Sequence, residues 1–424
     1  MEIYVPDSAE SVTQTWLKDV LTLHIPGEFE VTKHDAKGLT KGKMRDGYLS
    51  QMVAITAEVT TSDGKTLTFH LMAKMFPAGE FQRKMVTLTR AFDREIHVYK
   101  ELLRQVREAQ AGNAKVLEPA FAKCYHTCAN FSQSAIVMED LKATGYRMHD
   151  RYAGLDFEHC QLIVKELGRF HALTYYTKVK QGNIEMFLCK NAPLLVEPLQ
   201  NFGPILAMGM NNITLLLEGQ ERKDLSEKIK AYLAKHPDPS ETFYAITGPR
   251  GPMSTFVHGD CWNNNMMFRY ETKEGKEVPV EVKPVDLQIS RYTHPTNDLA
   301  YLFYTSTNRD MRDKHLESLL KFYHNSFLET MQTLGMECPD AYSYDEMKKE
   351  FFKVSAEAGF LCACWLIPAM LMQEEDAVDL DTLKESDMKN LMDDYQEKIV
   401  KGTNKKIVDR IVGLAEEMIE LGVI

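Results

Sequence analysis

An aspartate, an asparagine five residues on and a second aspartate twenty-six residues after the first stand at Asp260, Asn265 and Asp286. They lie within FVHGDCWNNNMMF (256–268) and PVDLQISRYTHPTNDL (284–299). Phosphoryl transfer asks little covalent chemistry of a protein; it asks for positioning and for charge neutralisation on the phosphates. A carboxylate must stand beside the attacking hydroxyl, and Asp260 suits that base. Mg²⁺ takes one or two carboxylates together with phosphate and water oxygens, and Asn265 and Asp286 offer an amide and a carboxylate oxygen. The order H-x-D-x-x-x-x-N, then a strand-turn-strand, then D, is that of a protein-kinase catalytic loop followed by its metal aspartate. Each residue alone has a plainer explanation. An HGD tripeptide recurs by chance, an asparagine triplet is usually loop, and His258 suits a bracing hydrogen bond better than proton exchange. The joint pattern is what points to a kinase with Asp260 as base and Asn265 and Asp286 as metal ligands.

The elements around this segment must hold it still. Phe256-Val257 and Met266-Met267-Phe268 can bury on either side of the loop, and Asp298 can cap the following helix or brace the loop. Thr255 to Val257 and Val278 to Asp286 are expected as short strands around a turn. Upstream, Ser11 to Leu23 is amphipathic and predicts a leading helix. Gln51 to Thr60 and Lys65 to Phe76 alternate on either side of Ser62-Asp63-Gly64 and predict a hairpin. Phe81 to Arg107 predicts one helix, and Phe121 to His126 and Ser134 to Glu139 predict two more strands. From Asp140 the pattern turns helical: 157–177, most of 194–233, 297–330, 345–372 and 387–421. The expected fold is α+β and bilobal, protein-kinase-like. A small antiparallel-sheet N-lobe spans 1–138, and a larger, mainly helical C-lobe spans 139–424.

These residues also carry a resemblance. VHGDCWNNNMMF is similar to the H-G-D-x-W-x-x-N-x-x-F of the ecdysteroid kinase-like family, which is related to choline kinases and aminoglycoside phosphotransferases, and Trp262 and Phe268 are in place. VDLQ resembles that family's D-F-Q, with Leu287 where Phe is usual. IVMEDL (136–141) resembles its hinge, GRFHAL (168–173) the helix before its catalytic region, and FDREIHVYKEL (92–102) its glutamate-bearing helix. The similarity runs from about residue 36 to the C-terminus. It implies that Lys74 touches the ATP phosphates and pairs with Glu95, both of which also sit where strand and helix patterning allow. It implies that adenine binds the Glu139 carbonyl and the Leu141 amide, with Met138 behind it. Gly38, Gly42 and Gly47 match neither G-x-G-x-x-G nor a Walker A loop. Gly47-Tyr48-Leu49-Ser50 resembles the family's Gly-aromatic-x-Ser loop, which implies that Ser50 cradles the β-phosphate; a plain turn before a strand is the alternative.

Composition bounds the rest. The net charge of −11 repels nucleic acid and anionic membrane. The start MEIYVPDSAE carries no secretory pattern, and the longest apolar run, Phe360 to Met372, is too short to span a bilayer. Cys124/Cys128 and Cys362/Cys364 lack partners at zinc spacing and read as reduced thiols of a cytoplasmic protein. Gly259 stands where protein kinases have Arg, and only nine residues separate Gln288 from Asp298. Both features point away from protein substrates and toward a small-molecule alcohol, with ATP and Mg²⁺. The resemblance suggests a steroid, ecdysteroid-like, or a xenobiotic alcohol. Tyr175, Tyr176, Phe187, Phe202, Met208, Met210, Trp365 and Met370 are candidate walls of an apolar acceptor pocket or plain core. A choline- or aminoglycoside-type acceptor and an inactive nucleotide-binding pseudokinase are the competing readings.

Overall fold

The computed structural model describes residues 4–39, 50–129, 133–182, 203–371, 388–402 and 404–424. The chain divides into two compact units: Met1–Lys100 with Phe121–Arg147 and Gln373–Met388, and Glu101–Ala120 with Met148–Met372 and Lys389–Ile424.

The first unit is built on a five-stranded antiparallel sheet. Its strands are β1 (Phe29–Gly38), β2 (Gln51–Thr61), β3 (Thr66–Met75), β4 (Cys124–Ala129) and β5 (Ser134–Glu139), in the order β1-β2-β3-β5-β4. Alternation in β2 puts Val53, Ile55, Ala57 and Val59 on the buried face. The β2–β3 turn closes as the sequence predicts, with Thr60 opposite Thr66. A helix at Gln14–Leu21, capped by the Thr13 hydroxyl, packs Trp16, Leu17, Val20 and Leu21 into the same core.

The single helix expected over Phe81–Arg107 is broken. Helices Glu80–Thr89 and Ala91–His97 meet at Arg90, whose φ is 53°. A π turn at Val98–Leu102 precedes a last helix at Leu103–Ala109. The cause is local: the Thr87 and Thr89 hydroxyls donate back to the Arg83 and Met85 carbonyls, and Arg94 Nε donates to the Thr89 carbonyl. Threonine back-bonding of this kind weakens a helix where it must continue.

β6 (Tyr146–Met148) lies where the chain passes from the first unit to the second. The second unit is mainly helical, with long helices at Phe157–Lys180, Gly203–Gly219, Arg309–Thr333, Ala356–Met370 and Lys405–Glu420 around one apolar core. Its strands correct the expected pairing. β7 (Thr255–Val257) pairs with β10 (Arg291–Thr293), not with the segment before Asp286. That segment is β9 (Lys276–Pro284), the partner of β8 (Met266–Lys273), and the two form a hairpin turning at Glu274-Gly275, both with positive φ. β8 is anticipated only as the unbounded first arm of the strand-turn-strand between Asp260 and Asp286, because only its first three residues are buried, and β10 escapes because three residues show no period. The helical run Tyr344–Met370 is long and apolar enough to cross a membrane by composition, but 72% of its apolar window is buried inside the protein, as in a core helix.

Candidate active site

The catalytic-loop candidate leaves β7 at Val257 and enters β8 at Met266. Gly259 makes the turn with φ 87°, a conformation that costs an L side chain dearly and glycine little. His258 braces the loop from inside: its Nδ1 accepts from the Asp260 amide (3.2 Å), and its Nε2 donates to the Val285 carbonyl (3.0 Å). That arrangement holds the ring in one neutral tautomer. Burial lowers its pKa below the usual histidine value, against the nearby negative charges of Asp298 and Asp286. The Val285 amide in turn donates to the Asn265 carbonyl (2.9 Å), which fixes the backbone of Asp286 beside the loop.

Three sequence-predicted residues therefore come together. Asn265 Nδ2 donates to Asp260 Oδ2 (2.8 Å) and to the Asp260 carbonyl (3.0 Å). Asp286 lies just past β9 with φ 70°. A non-glycine residue held there stores strain of the kind found at functional sites. Its charge is near enough to act on Asp260, whose pKa is pushed up to about 6. Burial is the main cause and Asp286 the second, with Tyr301, Asn265 and Arg291 pulling the other way. A base with that pKa is mostly ionised at neutral pH yet can accept a proton. The site fits Mg²⁺ on its chemistry. Asn265 spends its amide nitrogen on Asp260, so its carbonyl oxygen is turned away, and two mutually repelling carboxylates favour a divalent cation. Among the described residues no cluster of three His, Cys, Asp or Glu offers a different metal site.

Asp298 braces the loop rather than capping its helix. Its Oδ2 accepts from the His258 amide (2.8 Å) and its Oδ1 from the Gly259 amide (2.9 Å), while His171 Nε2 lies 3.1 Å from Oδ2. Burial alone would raise its pKa, but the His171 hydrogen bond and charge outweigh it, and the net shift is downward. The chain continues from His171 Nδ1 to the Tyr323 hydroxyl (3.0 Å) and on to Tyr342 (2.7 Å). Behind β7, buried Lys178 donates to the Pro252 and Ser254 carbonyls (2.7 and 2.6 Å) and holds the strand's approach; burial lowers its pKa to about 8.

In the first unit, Lys74 on β3 and Glu95 on the Ala91–His97 helix form an ion pair of 2.6 Å, with side chains only 8% and 1% exposed. Ser50 is buried at the start of β2, its hydroxyl 3.6 Å from Met52 Sδ; Gly42, Gly47, Tyr48 and Leu49 lie outside the described residues. Glu139 ends β5, where its amide donates to the Lys123 carbonyl and its Oε1 accepts from the Lys123 amide (3.0 Å). The Leu141 carbonyl accepts from the Thr144 and Tyr146 amides. Met138 sits on β5 opposite Met72 and Cys124. Of the candidate pocket walls, Tyr175, Tyr176, Met210 and Met370 are buried in the second unit's core; Phe187 and Phe202 lie outside the described residues.

A reading of the sequence passes over Tyr301, Arg291 and the pairing of His171 with Asp298. Tyr301 Oη donates to Asp260 Oδ1 (2.7 Å), and Arg291 Nη1 donates to the Gly259 carbonyl (3.3 Å). One signal for Tyr301 was present: it stands three residues after Asp298, on the same helical face.

Residues 44–336, more than half of the chain, match the Ecdysteroid kinase-like family. No curated protein matches the chain. Among solved structures, a similar one is the crystal structure of aminoglycoside-3'-phosphotransferase of type VIII, 14% identical, covering 79% of this chain and 97% of that chain with a TM-score of 0.29.

Proposed function

Because the chain belongs to the ecdysteroid kinase-like family, we propose that it is an ATP-dependent kinase for a neutral, largely apolar alcohol, steroid-like or xenobiotic, acting in the cytoplasm. The observation that carries this reading is the convergence of Asp260, Asn265 and Asp286 on a loop whose backbone is tied down on both sides. Asp260 would orient the acceptor hydroxyl and take its proton as the oxygen bonds to the γ-phosphorus and ADP leaves. Asn265 and Asp286 would hold Mg²⁺, which when bound neutralises phosphate charge. In the first unit, Lys74, fixed by Glu95, would bind the α- and β-phosphates. The Glu139–Leu141 backbone would take adenine, and Ser50 would stand near the β-phosphate. Free cysteines, seven among the described residues, suit a reducing compartment.

A choline- or aminoglycoside-type acceptor is cationic and wants an acidic or aromatic cage. Arg291, buried with its Nη1 on the Gly259 carbonyl and its charge acting on Asp260, favours a neutral acceptor instead. A pseudokinase would lack one of the reacting groups, and Lys74, Asp260 and Asp286 are all present.

The test is turnover with Mg·ATP and a panel of sterol and xenobiotic alcohols, read as a product one phosphate heavier. Asp260→Asn should lower kcat by roughly 10²–10⁴-fold with ATP affinity unchanged. Wild-type turnover in that variant would remove Asp260 as base. Nucleotide binding without turnover on any alcohol would favour the pseudokinase.

A further inference from the structure

One helix face touches the catalytic loop at three points. The helix Thr296–Ser306 presents Asp298 to the His258 and Gly259 amides, Tyr301 to Asp260 Oδ1, and the Ser306 hydroxyl to the Asn263 amide (2.9 Å). The other side of this helix is held just as closely. A Cβ on Gly359 would stand 2.6 Å from the Ala300 carbonyl, so the helix Ala356–Met370 seats directly against the backbone next to Tyr301. The tyrosine is thus carried on a helix gripped from both sides.

We propose that Tyr301 is the positioning residue of phosphoryl transfer, acting by pinning the Asp260 carboxylate from the side opposite Asn265. This rests on the kinase reading of the site. The terminal torsion of an aspartate is broad and roughly two-fold, so a carboxylate held by one donor swings about its last bond. Among the described residues Asp260 has two side-chain donors, one on each oxygen: Asn265 Nδ2 on Oδ2 at 2.8 Å and Tyr301 Oη on Oδ1 at 2.7 Å. Together they set the plane of the carboxylate. A carboxylate has about four acceptor positions, and with two used the remaining ones are left for an alcohol. Tyr301 is itself buried beside a carboxylate, which holds its hydroxyl protonated and keeps it a donor. Nothing is asked of Tyr301 as an acid or base.

The test uses the full-length protein. Tyr301→Phe keeps the ring and its packing and removes only the hydroxyl. It should lower kcat by about 10- to 100-fold, as a misaligned reacting group does, with KM for ATP and for the alcohol unchanged. Tyr304→Phe is the control. It lies on the same helix, fully buried, and its hydroxyl has no partner among the described residues, so its kcat should stay at the wild-type value. In an Asp260→Asn background, Tyr301→Phe should change kcat by less than about two-fold, because a residue acting through Asp260 has nothing left to position. Equal losses in both backgrounds, or a loss in Tyr304→Phe as large as in Tyr301→Phe, would mean that only packing is involved and would overturn the proposal. A second readout needs no turnover. The ¹⁹F resonance of 3-fluorotyrosine placed at 301 should shift on Asp260→Asn. A resonance that ignores that substitution overturns the assignment whatever the kinetics. A responding resonance in a protein that phosphorylates no alcohol refutes the kinase reading and leaves the Tyr301–Asp260 bond established.

Discussion

Gly259 is where one side chain more would misplace Asp260. With φ at 87° and a Cβ only 2.3 Å from the Ile289 carbonyl, alanine is both strained and obstructed there. The obstruction is backbone, which cannot swing aside as a side chain would. Gly259→Ala is expected to cost at least about 2 kcal/mol in urea unfolding and to lower kcat more than it raises KM for ATP. Wild-type stability and turnover would show that the turn relaxes freely. At this scale the convergence of Asp260, Asn265 and Asp286 was legible, because their types and spacing form a local motif that needs no reference to distant neighbours. Tyr301 and Arg291 were not. Their contacts with Asp260 and Gly259 join residues 41 and 32 positions apart, and no spacing along the chain shows such a pair.

Lys74 and Glu95 tie a strand to a helix, and their pairing belongs to those elements rather than to either residue. β3 places Lys74 between Met52 of β2 and Ile136 of β5, in the middle of the sheet. The kink at Arg90 starts a new helix that delivers Glu95 to it. Removing one partner leaves a buried charge, which typically costs 3–5 kcal/mol, whereas replacing both by apolar residues is often neutral. Lys74→Met should therefore destabilise the protein by about that amount, and adding Glu95→Leu should recover most of it without restoring ATP affinity. Chemical denaturation and nucleotide titration on the three variants check this. If ATP affinity returned with stability, Lys74 would be a structural cation only. The strand and the helix were each legible from their periodicity. The break between helices was not, because it depends on threonine hydroxyls choosing backbone carbonyls over water.

At the scale of the whole molecule, ligand binding should register as stability. A nucleotide that binds only the folded protein adds about 2.7 kcal/mol at a hundred times its Kd. Mg·ATP should thus raise Tm by several degrees and ATP with EDTA by much less. Asp286→Asn should erase the difference between the two conditions while keeping the unliganded Tm near wild type. A magnesium-dependent shift that survives in this variant would remove Asp286 from the metal site. The net charge of −11 sets the long-range field of the chain, so the proposed ATP, itself an anion, would have to be drawn by local cations and metal.

Periodicity and motif spacing by themselves determined the α+β class, four of the five sheet strands to within a few residues, the main helices, and a loop carrying Asp260 and Asn265 with Asp286 after it in a fixed order; β1 (Phe29–Gly38) was not among the expected strands. They could do so because hydrophobic alternation and short-range spacing are local properties of a chain. Only the tertiary structure decided that β7 pairs with β10 while β8 pairs with β9, and that Tyr176, Met210 and Met370 are core. It also decided that Asp298 serves the loop and that Tyr301 holds Asp260. Those outcomes depend on which distant surfaces meet, and burial turns a hydrogen bond between them from one among many with water into one that fixes a side chain's orientation.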